Sequence, residues 1–328
     1  MPRDVSFADV LGLRPLPLAI SQMRMTFAGD AFVPSSRFDT TSLRMLRPRL
    51  AFDMWTGRVR ADRLVPIFNL VNRTPTPVEE GWSVRKTQVR DFRGRDLSYD
   101  SHNGTDFCVP PGTVTVAAAP GRVLAVRREF HRGGLKVYVD HGDGLVTTSN
   151  HLSRALVAVG DVVARGQPIA LSGASGIDST LMFPWVAPHV HFNVWLDGAA
   201  VDPFAAPGET SLWLGGNAPA PSTGPSSEDG APVASHDAAA IDAVLATCRD
   251  PRFIASARAI DDVDQRAMHV LVETVTYPTR FSVPEAGRLL YAATRSGTAS
   301  SEQARRPRLD LPFQAEEFSG IWFPDDAS

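Results

Sequence analysis

Cysteine is scarce in this chain: of 328 residues, two are cysteines, Cys108 and Cys248. Two cysteines cannot supply the disulfide framework of a small secreted domain. They also cannot supply a structural zinc site of the usual kind, which closes with four ligands rich in cysteine. Cys108 lies two residues after Asp106, and we interpret it as a small buried hydrophobe, with a thiolate metal ligand as the alternative.

Long apolar runs are missing as well. No stretch of about 18 apolar residues occurs, so we expect no transmembrane helix. Residues 11–20 are interrupted by Arg14, Pro15 and Pro17, so they do not form the continuous apolar core of a secretory signal. The sequence therefore predicts no membrane span, and it predicts either that the chain is not exported by the general route or that it is already processed.

Lysine is limited to Lys86 and Lys136. Residues 159–167 are similar to the hairpins of lipoyl-type carrier domains, which need a modifiable lysine at the tip of a hairpin. Neither lysine lies in such a tip, so we do not favour a carrier function.

Charge is unevenly distributed, although the formal net charge is only −3. Residues 1–101 carry +5, residues 102–204 carry −1 and residues 205–328 carry −7. The positive residues of the first segment do not cluster into a stripe, so we interpret them as a solvated surface and expect no nucleic-acid partner. Docking of an anionic polymer is the alternative for this segment.

Residues 112–202 show the pattern of short, closely spaced β-strands. Turn residues such as Pro120-Gly121 and Gly133-Gly134 separate apolar runs, and no helical apolar period is present. The predicted strands are 114–117, 122–127, 135–140, 145–150, 162–164, 168–171 and 190–196. This pattern favours an antiparallel architecture, so we expect a mainly β fold.

The flanking segments differ in kind. Residues 1–90 form a mixed region in which runs 64–72 and 82–89 predict a hairpin-like pair of strands, without a motif that indicates chemistry. Residues 207–235, rich in Pro, Gly and Ser, predict a mobile linker. We therefore expect an N-terminal region at 1–90, a central domain at 91–206, a linker at 207–235 and an acidic helical module at 236–328.

Two helices are predicted in the last of these segments. Asp237 can cap a helix whose apolar positions 241, 244, 245 and 248 follow helical spacing. Ser282-Val-Pro-Glu285 has the form of a capping box for a second helix that ends near Gly297.

Two separated motifs carry the metal-ligating side chains. His102 and Asp106 are four residues apart around Gly104, and His189 and His191 would share one face of a strand. Two imidazoles and one carboxylate, with one imidazole left over, suit a catalytic zinc site with an open position. The residues alone do not choose between His189 and His191, and ligand type alone also permits Mn²⁺, Fe²⁺ or Ni²⁺.

The order of several motifs resembles the lysostaphin/LytM-type zinc metallopeptidases over residues 98–204. The motifs that carry this resemblance are His102-Asn-Gly-Thr-Asp106-Phe107, Ala118-Ala-Pro-Gly121, Asp140-His-Gly142, His151-Leu152, Val159-Gly-Asp-Val162, Arg165-Gly-Gln167, Gly173, His189-Val-His191-Phe192 and Val201-Asp-Pro203. It implies an antiparallel β-groove metallopeptidase core, similar to a duplicated hybrid motif, and cleavage of peptide bonds in peptidoglycan.

The resemblance also implies roles for individual residues. His102, Asp106 and His191 would hold one zinc ion per chain, and His151 and His189 would be the two further histidines of the site. Either could act as the general base, because the chain has no His-Glu-x-x-His helix. Peptidoglycan peptides as partner imply the periplasm or cell envelope, although no export signal is visible.

Three features depart from the family pattern. Ser149-Asn150 stands where Tyr or Trp usually precedes the histidine, Asn193 stands where Glu is common, and residues 177–188 form a long apolar insertion. We expect these departures to affect specificity. A catalytically silent regulator or wall-binding module on the same fold is the alternative function.

Overall fold

The computed structural model describes residues 5–74, 76–224, 236–292 and 305–327. Eleven strands occur in these ranges: β1 (Leu64–Pro66), β2 (Thr105–Cys108), β3 (Val114–Val116), β4 (Gly121–Glu129), β5 (Gly134–Asp140), β6 (Leu145–Ala155), β7 (Val162–Val163), β8 (Pro168–Ser172), β9 (His189–Leu196), β10 (Ala199–Val201) and β11 (Gly320–Trp322). The seven strands predicted between residues 112 and 202 are confirmed, with small shifts at their ends.

A nine-stranded antiparallel sheet forms the centre of the molecule. Its main path runs β10-β9-β6-β5-β4-β7, with β2 paired to β9 and with β8 joining β3 to β6. Tight turns connect its long strands because glycines adopt backbone angles that side chains disfavour, as at Gly142 and Gly144 with φ of 73° and 77°. The prediction of a mainly antiparallel β fold is confirmed.

Along the chain, helices occur both before and after the strands of this sheet. The described helices are α1 (Phe7–Val10), α2 (Leu16–Ala28), α3 (Pro48–Trp55), α4 (Ile177–Leu181), α5 (Ala238–Thr247), α6 (Pro251–Arg258), α7 (Val263–Thr276) and α8 (Leu289–Ala292), with short 3-10 helices at Thr40–Met45, Val78–Glu80, Pro278–Arg280, Ala286–Arg288 and Pro324–Ala327. No helix among the described residues is both long and apolar enough to span a bilayer.

The C-terminal helices cover one face of the sheet. Leu124, Tyr138 and Trp195 project from the strands into the same buried cluster as Ile241 of α5 and Leu271 of α7. The predicted cap of α5 is present, because the Asp237 carboxylate accepts a hydrogen bond from the Ala239 amide. These helices therefore form one wall above the sheet.

The main core draws on segments from the whole chain. Phe107 and Phe192 of the sheet pack in one cluster with Ile67 from the N-terminal region, Trp213, and Phe313 near the C-terminus. Trp213 is fully buried. Residues 207–224, which we predicted as part of a linker, thus contribute to the core through the buried side chains of Leu212 and Trp213. Residues 225–235 lie outside the described part of the chain, and the division into four segments stays a prediction.

The predicted hairpin between residues 64–72 and 82–89 is wrong. β1 pairs in parallel with β11, and residues 82–89 contribute only a bridge between Ser83 and Arg37. The backbone after β1 bonds instead to residues 97–106, as in the hydrogen bond from the Phe68 amide to the Asp106 carbonyl (2.8 Å). An apolar run specifies burial but not the partner strand, which explains the error.

The predicted capping box at Ser282–Glu285 is also wrong. The Ser282 hydroxyl donates to the Thr247 carbonyl (3.1 Å), and Glu285 has φ of 52° with no side-chain cap. A 3-10 turn and the short helix α8 follow. The expected end at Gly297 lies outside the described residues.

The packing of residues 207–224 can be tested with Trp213→Ala. We expect this change to lower the free energy of unfolding by about 3–5 kcal/mol, because a buried large side chain leaves a cavity. Urea denaturation measures the effect. The matched control is Trp185→Ala, whose side chain is 54% exposed and whose loss should cost less than about 1 kcal/mol. Equal, small effects of both changes would mean that residues 207–224 are a loosely attached linker.

Candidate metal centre

Strand pairing sets the first element of the site. β2 and β9 run antiparallel with Asp106 directly opposite His191, and Asn150 of β6 lies opposite His191 on its other side. Directly opposed residues on one face have Cβ atoms about 5 Å apart, so the carboxylate and the imidazole meet. The same pairing places His189 two residues before His191 on the same face.

His102 reaches this pair from the loop before β2. A Cβ atom on Gly104 would lie 2.6 Å from His191 Nε2 and 2.8 Å from the Phe192 carbonyl oxygen. Only glycine therefore allows the loop to pass this close to β9. This close approach brings the His102 ring beside Asp106 and His191.

Three side-chain atoms converge at one point. His102 Nε2 lies 3.1 Å from Asp106 Oδ1 and 3.1 Å from His191 Nδ1, and His191 Nδ1 lies 2.7 Å from Asp106 Oδ1. All three side chains are buried. A tetrahedral zinc ion with ligand distances of about 2.0–2.1 Å separates its ligand atoms by roughly 3.3 Å, so this group fits such an ion with little movement.

Carbonyl groups fix the imidazole tautomers. His102 Nδ1 donates to the Leu70 carbonyl (2.6 Å), so its Nε2 carries the lone pair that faces Asp106. His151 Nδ1 donates to the Ser175 carbonyl and His189 Nδ1 to the Ala187 carbonyl, both at 2.8 Å. Three of the four rings thus have an Nε2 free to bind a metal or accept a proton.

His151 and His189 lie beside the three converging atoms. Their ring centroids are 4.6 Å apart, the centroids of His151 and His191 are 6.0 Å apart, and His189 Nε2 lies 3.7 Å from Asp106 Oδ1. His151 has φ of 59°, a conformation that L residues other than Asn, Asp and His seldom adopt. The structure thus brings together all five residues that the sequence singled out.

Electrostatics keep the carboxyl charged and at least two rings neutral. Burial alone would raise the pKa of Asp106, but the fields of His102 and His189 outweigh it and hold the pKa well below its usual range. Burial lowers the pKa of His191 to about 4, although Asp106 acts against this. Burial and the neighbouring His189 and His191 rings hold the pKa of His151 well below its ordinary value. Neutral imidazole is the form that binds metals and accepts protons.

The N-terminal region supplies two supporting groups that the sequence did not reveal. Asn69 Nδ2 donates to Asp106 Oδ2 (2.8 Å), and the Leu70 carbonyl accepts from His102. Both follow β1 in the apolar run that we took to carry no chemistry. Such groups fix the orientation of metal ligands.

Two of the departures from the family pattern contact each other behind His191. Asn150 Nδ2 donates to Asn193 Oδ1 (2.8 Å) and to the His191 carbonyl (2.7 Å). Asn193 Nδ2 lies 3.0 Å from His191 Nε2 and donates to the Asn103 carbonyl (2.9 Å). These amides position the ring, so the departures leave the cluster intact.

Cys108 does not join the cluster. It is buried with Phe68, Val186 and Ala187, and burial raises the pKa of its thiol well above the ordinary value. Among the described residues, the group of histidine, cysteine and acidic side chains able to hold a metal is His102, Asp106 and His191. The interpretation of Cys108 as a buried hydrophobe fits this environment.

The cluster opens into a groove of about 1330 Å³. Its walls come from the central sheet, from Val33 and Trp82 of the N-terminal region, and from Thr276 and Phe281 near α7. The insertion at 177–188 contributes Asp178 to the lining, and its Phe183 packs edge-on against Trp55 (centroids 5.0 Å apart). Segments beyond the resemblance thus shape the groove.

The part of the chain that carries this site is similar to known proteins. Residues 100–203 match the model of peptidase family M23. Peptidoglycan DD-endopeptidase ShyB of Vibrio cholerae is 37% identical over 105 residues, which are 32% of this chain and 23% of that protein. Murein hydrolase activator EnvC of Escherichia coli is 39% identical over 136 residues, 41% of this chain and 28% of that protein.

A solved structure of a zinc-containing peptidase from Vibrio cholerae is 30% identical, covers 41% of this chain and 37% of its own, and has a TM-score of 0.29. The curated relatives named above are matched over less than a third of their own length.

Asn69→Ala tests the supporting role of the N-terminal region. We expect divalent-metal affinity to fall by about 10- to 100-fold, because Asp106 loses the hydrogen bond that orients its second oxygen. Competition with a chelator of known affinity measures the change. Asn217→Ala, which removes an exposed amide far along the chain, is the control and should leave affinity unchanged. Unchanged affinity in Asn69→Ala would show that this contact does not orient the carboxylate.

Proposed function

We propose that this chain, whose residues 100–203 form a peptidase family M23 domain, is a zinc-dependent endopeptidase that hydrolyses peptide bonds in peptidoglycan cross-links or stem peptides. One observation carries the proposal: the atoms of His102, Asp106 and His191 converge at one point beside an open groove that His102 and His191 line, with two further imidazoles next to them. Three protein ligands and one open coordination position are typical of catalytic zinc sites.

The proposed ligands are His102 Nε2, Asp106 Oδ1 and His191 Nδ1. A bound zinc ion would supply a Lewis acid that polarises a carbonyl and lowers the pKa of water to about 7. The ligand set carries one negative charge, from Asp106, so the site would keep a net positive charge that favours this chemistry.

His151 and His189 would transfer protons during hydrolysis of the peptide bond. Each donates its Nδ1 hydrogen to a backbone carbonyl, so each can accept a proton at Nε2 from the attacking water and pass it to the departing amine. Once one ring carries this proton at Nε2, the same N–H group can also donate a hydrogen bond to the negatively charged carbonyl oxygen. The roles of the two rings are interchangeable in this proposal.

Peptidoglycan as the substrate is supported by the names of the relatives, among them two Vibrio cholerae proteins named peptidoglycan DD-endopeptidases. We propose the cell envelope as the place of action, because that is where this substrate occurs.

A catalytically silent regulator is the second candidate. The relative named a murein hydrolase activator supports it. The retention of the complete ligand set and of both additional histidines favours the enzyme.

Substitutions separate the proposed roles. His102→Ala and His191→Ala should abolish both zinc retention and cleavage, because each removes a ligand. His189→Ala should retain zinc but slow cleavage by about 10²- to 10⁴-fold, the usual contribution of a general acid–base group. Zinc is measured by elemental analysis, and cleavage by release of new amino termini from purified sacculi.

His269→Ala is the matched control, because this half-buried histidine lies on α7, stacked on Phe253 and away from the cluster. It should leave zinc content and cleavage unchanged. Cleavage at the original rate by His102→Ala would end the proposal. Folded, zinc-loaded protein that releases no amino termini would establish the silent regulator instead.

A further inference from the structure

Arg132 lies at the edge of the proposed catalytic site, in the turn between β4 and β5. The turn is tied to the site by its backbone, because the His151 amide donates to the Gly133 carbonyl (2.7 Å). The Ile177 amide donates to the Phe130 carbonyl (2.8 Å), which joins the start of the 177–188 insertion to the same turn. Arg132 therefore directly precedes the residue whose carbonyl accepts the hydrogen bond from the His151 amide.

The guanidinium of Arg132 has no close ion pair, although the charges of Glu129 and Asp178 act on it from farther away. It lies 5.0 Å above the Trp82 ring, and its Nη1 donates to the Thr276 carbonyl (3.3 Å). No carboxylate of the described residues comes within 4 Å of it in the ion pairs of this structure, whereas Lys136 in the same groove is paired with Glu129 at 2.7 Å.

Partial burial makes a charged guanidinium without a close ion pair energetically unfavourable at this position. Arg132 is half-buried, and burial lowers the pKa of its guanidinium, yet arginine remains charged at neutral pH. A partly desolvated cation whose carboxylate neighbours lie beyond 4 Å is stabilised further when a ligand brings a negative group into direct contact. A guanidinium can stack on an aromatic ring and still form parallel hydrogen bonds to a carboxylate through its edge.

Asp178 of the insertion sets the charge pattern around Arg132. Its half-buried carboxylate lines the same groove without an ion-pair partner within 4 Å among the described residues. Burial raises the pKa of Asp178 to about 6, and Arg132 and His189 act in the opposite direction. A negative substrate group entering here is repelled by Asp178 and attracted by Arg132, which defines where it can bind.

We propose that Arg132, stacked on Trp82, binds a free carboxylate of the substrate peptide next to the bond that is cut. This inference rests on the proposed function and adds a substrate requirement: a free carboxylate where an amidated peptide would carry a neutral carboxamide. Arg132 then determines specificity, and its charge, rather than its packing alone, is what the substrate recognises.

Synthetic wall peptides test the requirement. Each free carboxylate is replaced in turn by a carboxamide, and kcat and KM are measured for every peptide with the zinc-loaded full chain. For one of these peptides we expect kcat/KM to fall by about 10- to 100-fold, mainly through KM, because a charge-assisted pair is lost. Arg132→Gln should lower kcat/KM for the carboxylate peptide by the same factor. In this variant, replacing the carboxylate by a carboxamide should not change kcat/KM further.

Two further variants distinguish charge from structure. Arg132→Lys keeps the charge and should retain part of the preference for the carboxylate. Asp178→Asn removes the repulsion and should keep or increase that preference, the opposite sign to Arg132→Gln. Zinc content and the urea midpoint check that each variant is folded.

The possible results distinguish failure of the carboxylate site from failure of the proposed endopeptidase function. If the chain cleaves carboxylate and carboxamide peptides equally well, or if Arg132→Gln slows both by the same factor, the carboxylate site is wrong while the endopeptidase function stands. If the zinc-loaded chain cleaves neither the peptides nor sacculi, the proposed function itself has failed.

Discussion

The buried carboxylate of Asp106 is the constraint on which the rest of the site depends. Removing a carboxylate from water is costly unless it is paired and hydrogen-bonded. Here one oxygen accepts from Asn69, and the other faces three imidazoles within 3.7 Å. Such an arrangement suits a cation, because it gathers one carboxylate and several imidazole nitrogens at a single point.

Segments beyond the central sheet hold this arrangement in place. Asn69 and Leu70 follow a strand that pairs with β11 from the opposite end of the chain. The helical layer packs against Tyr138 and Trp195 of the sheet, and α7 and its following turn form a wall of the groove. The cluster of His102, Asp106 and His191 and the groove beside it are thus parts of one packed body, and the flanking segments line the approach to the cluster.

The sequence predicted those elements that local chemistry determines. The central strands were recognisable because glycine, proline and aspartate mark each turn. The residues alone suggested His102, Asp106 and one of His189 and His191 as ligands, and the full set was implied by the resemblance to the lysostaphin/LytM-type metallopeptidases. The supporting groups from the N-terminal region were not predictable. Asn69 is one of two amides in the run 64–72, and nothing local indicates that it meets a carboxylate 37 residues later.

Two differences between the sequence-based expectations and the structure have the same origin. Trp213 lies in a Pro- and Gly-rich stretch whose composition indicates a linker, yet its indole fills the core beside Phe107 and Phe192. The run at 64–72 was expected to pair with its neighbour in sequence, and β1 instead pairs with β11. The composition of a segment shows how polar it is. Which strand it pairs with, or which part of the core it packs against, depends on the tertiary fold.

The most direct test of the account is X-ray absorption at the zinc edge, on protein stripped of metal and reloaded with one equivalent. The account predicts uptake of one zinc per chain, with two imidazole nitrogens and a carboxylate oxygen in its ligand shell and no sulfur. Folded protein that takes up no zinc, or a spectrum that shows sulfur from Cys108 bound to the metal, would contradict it.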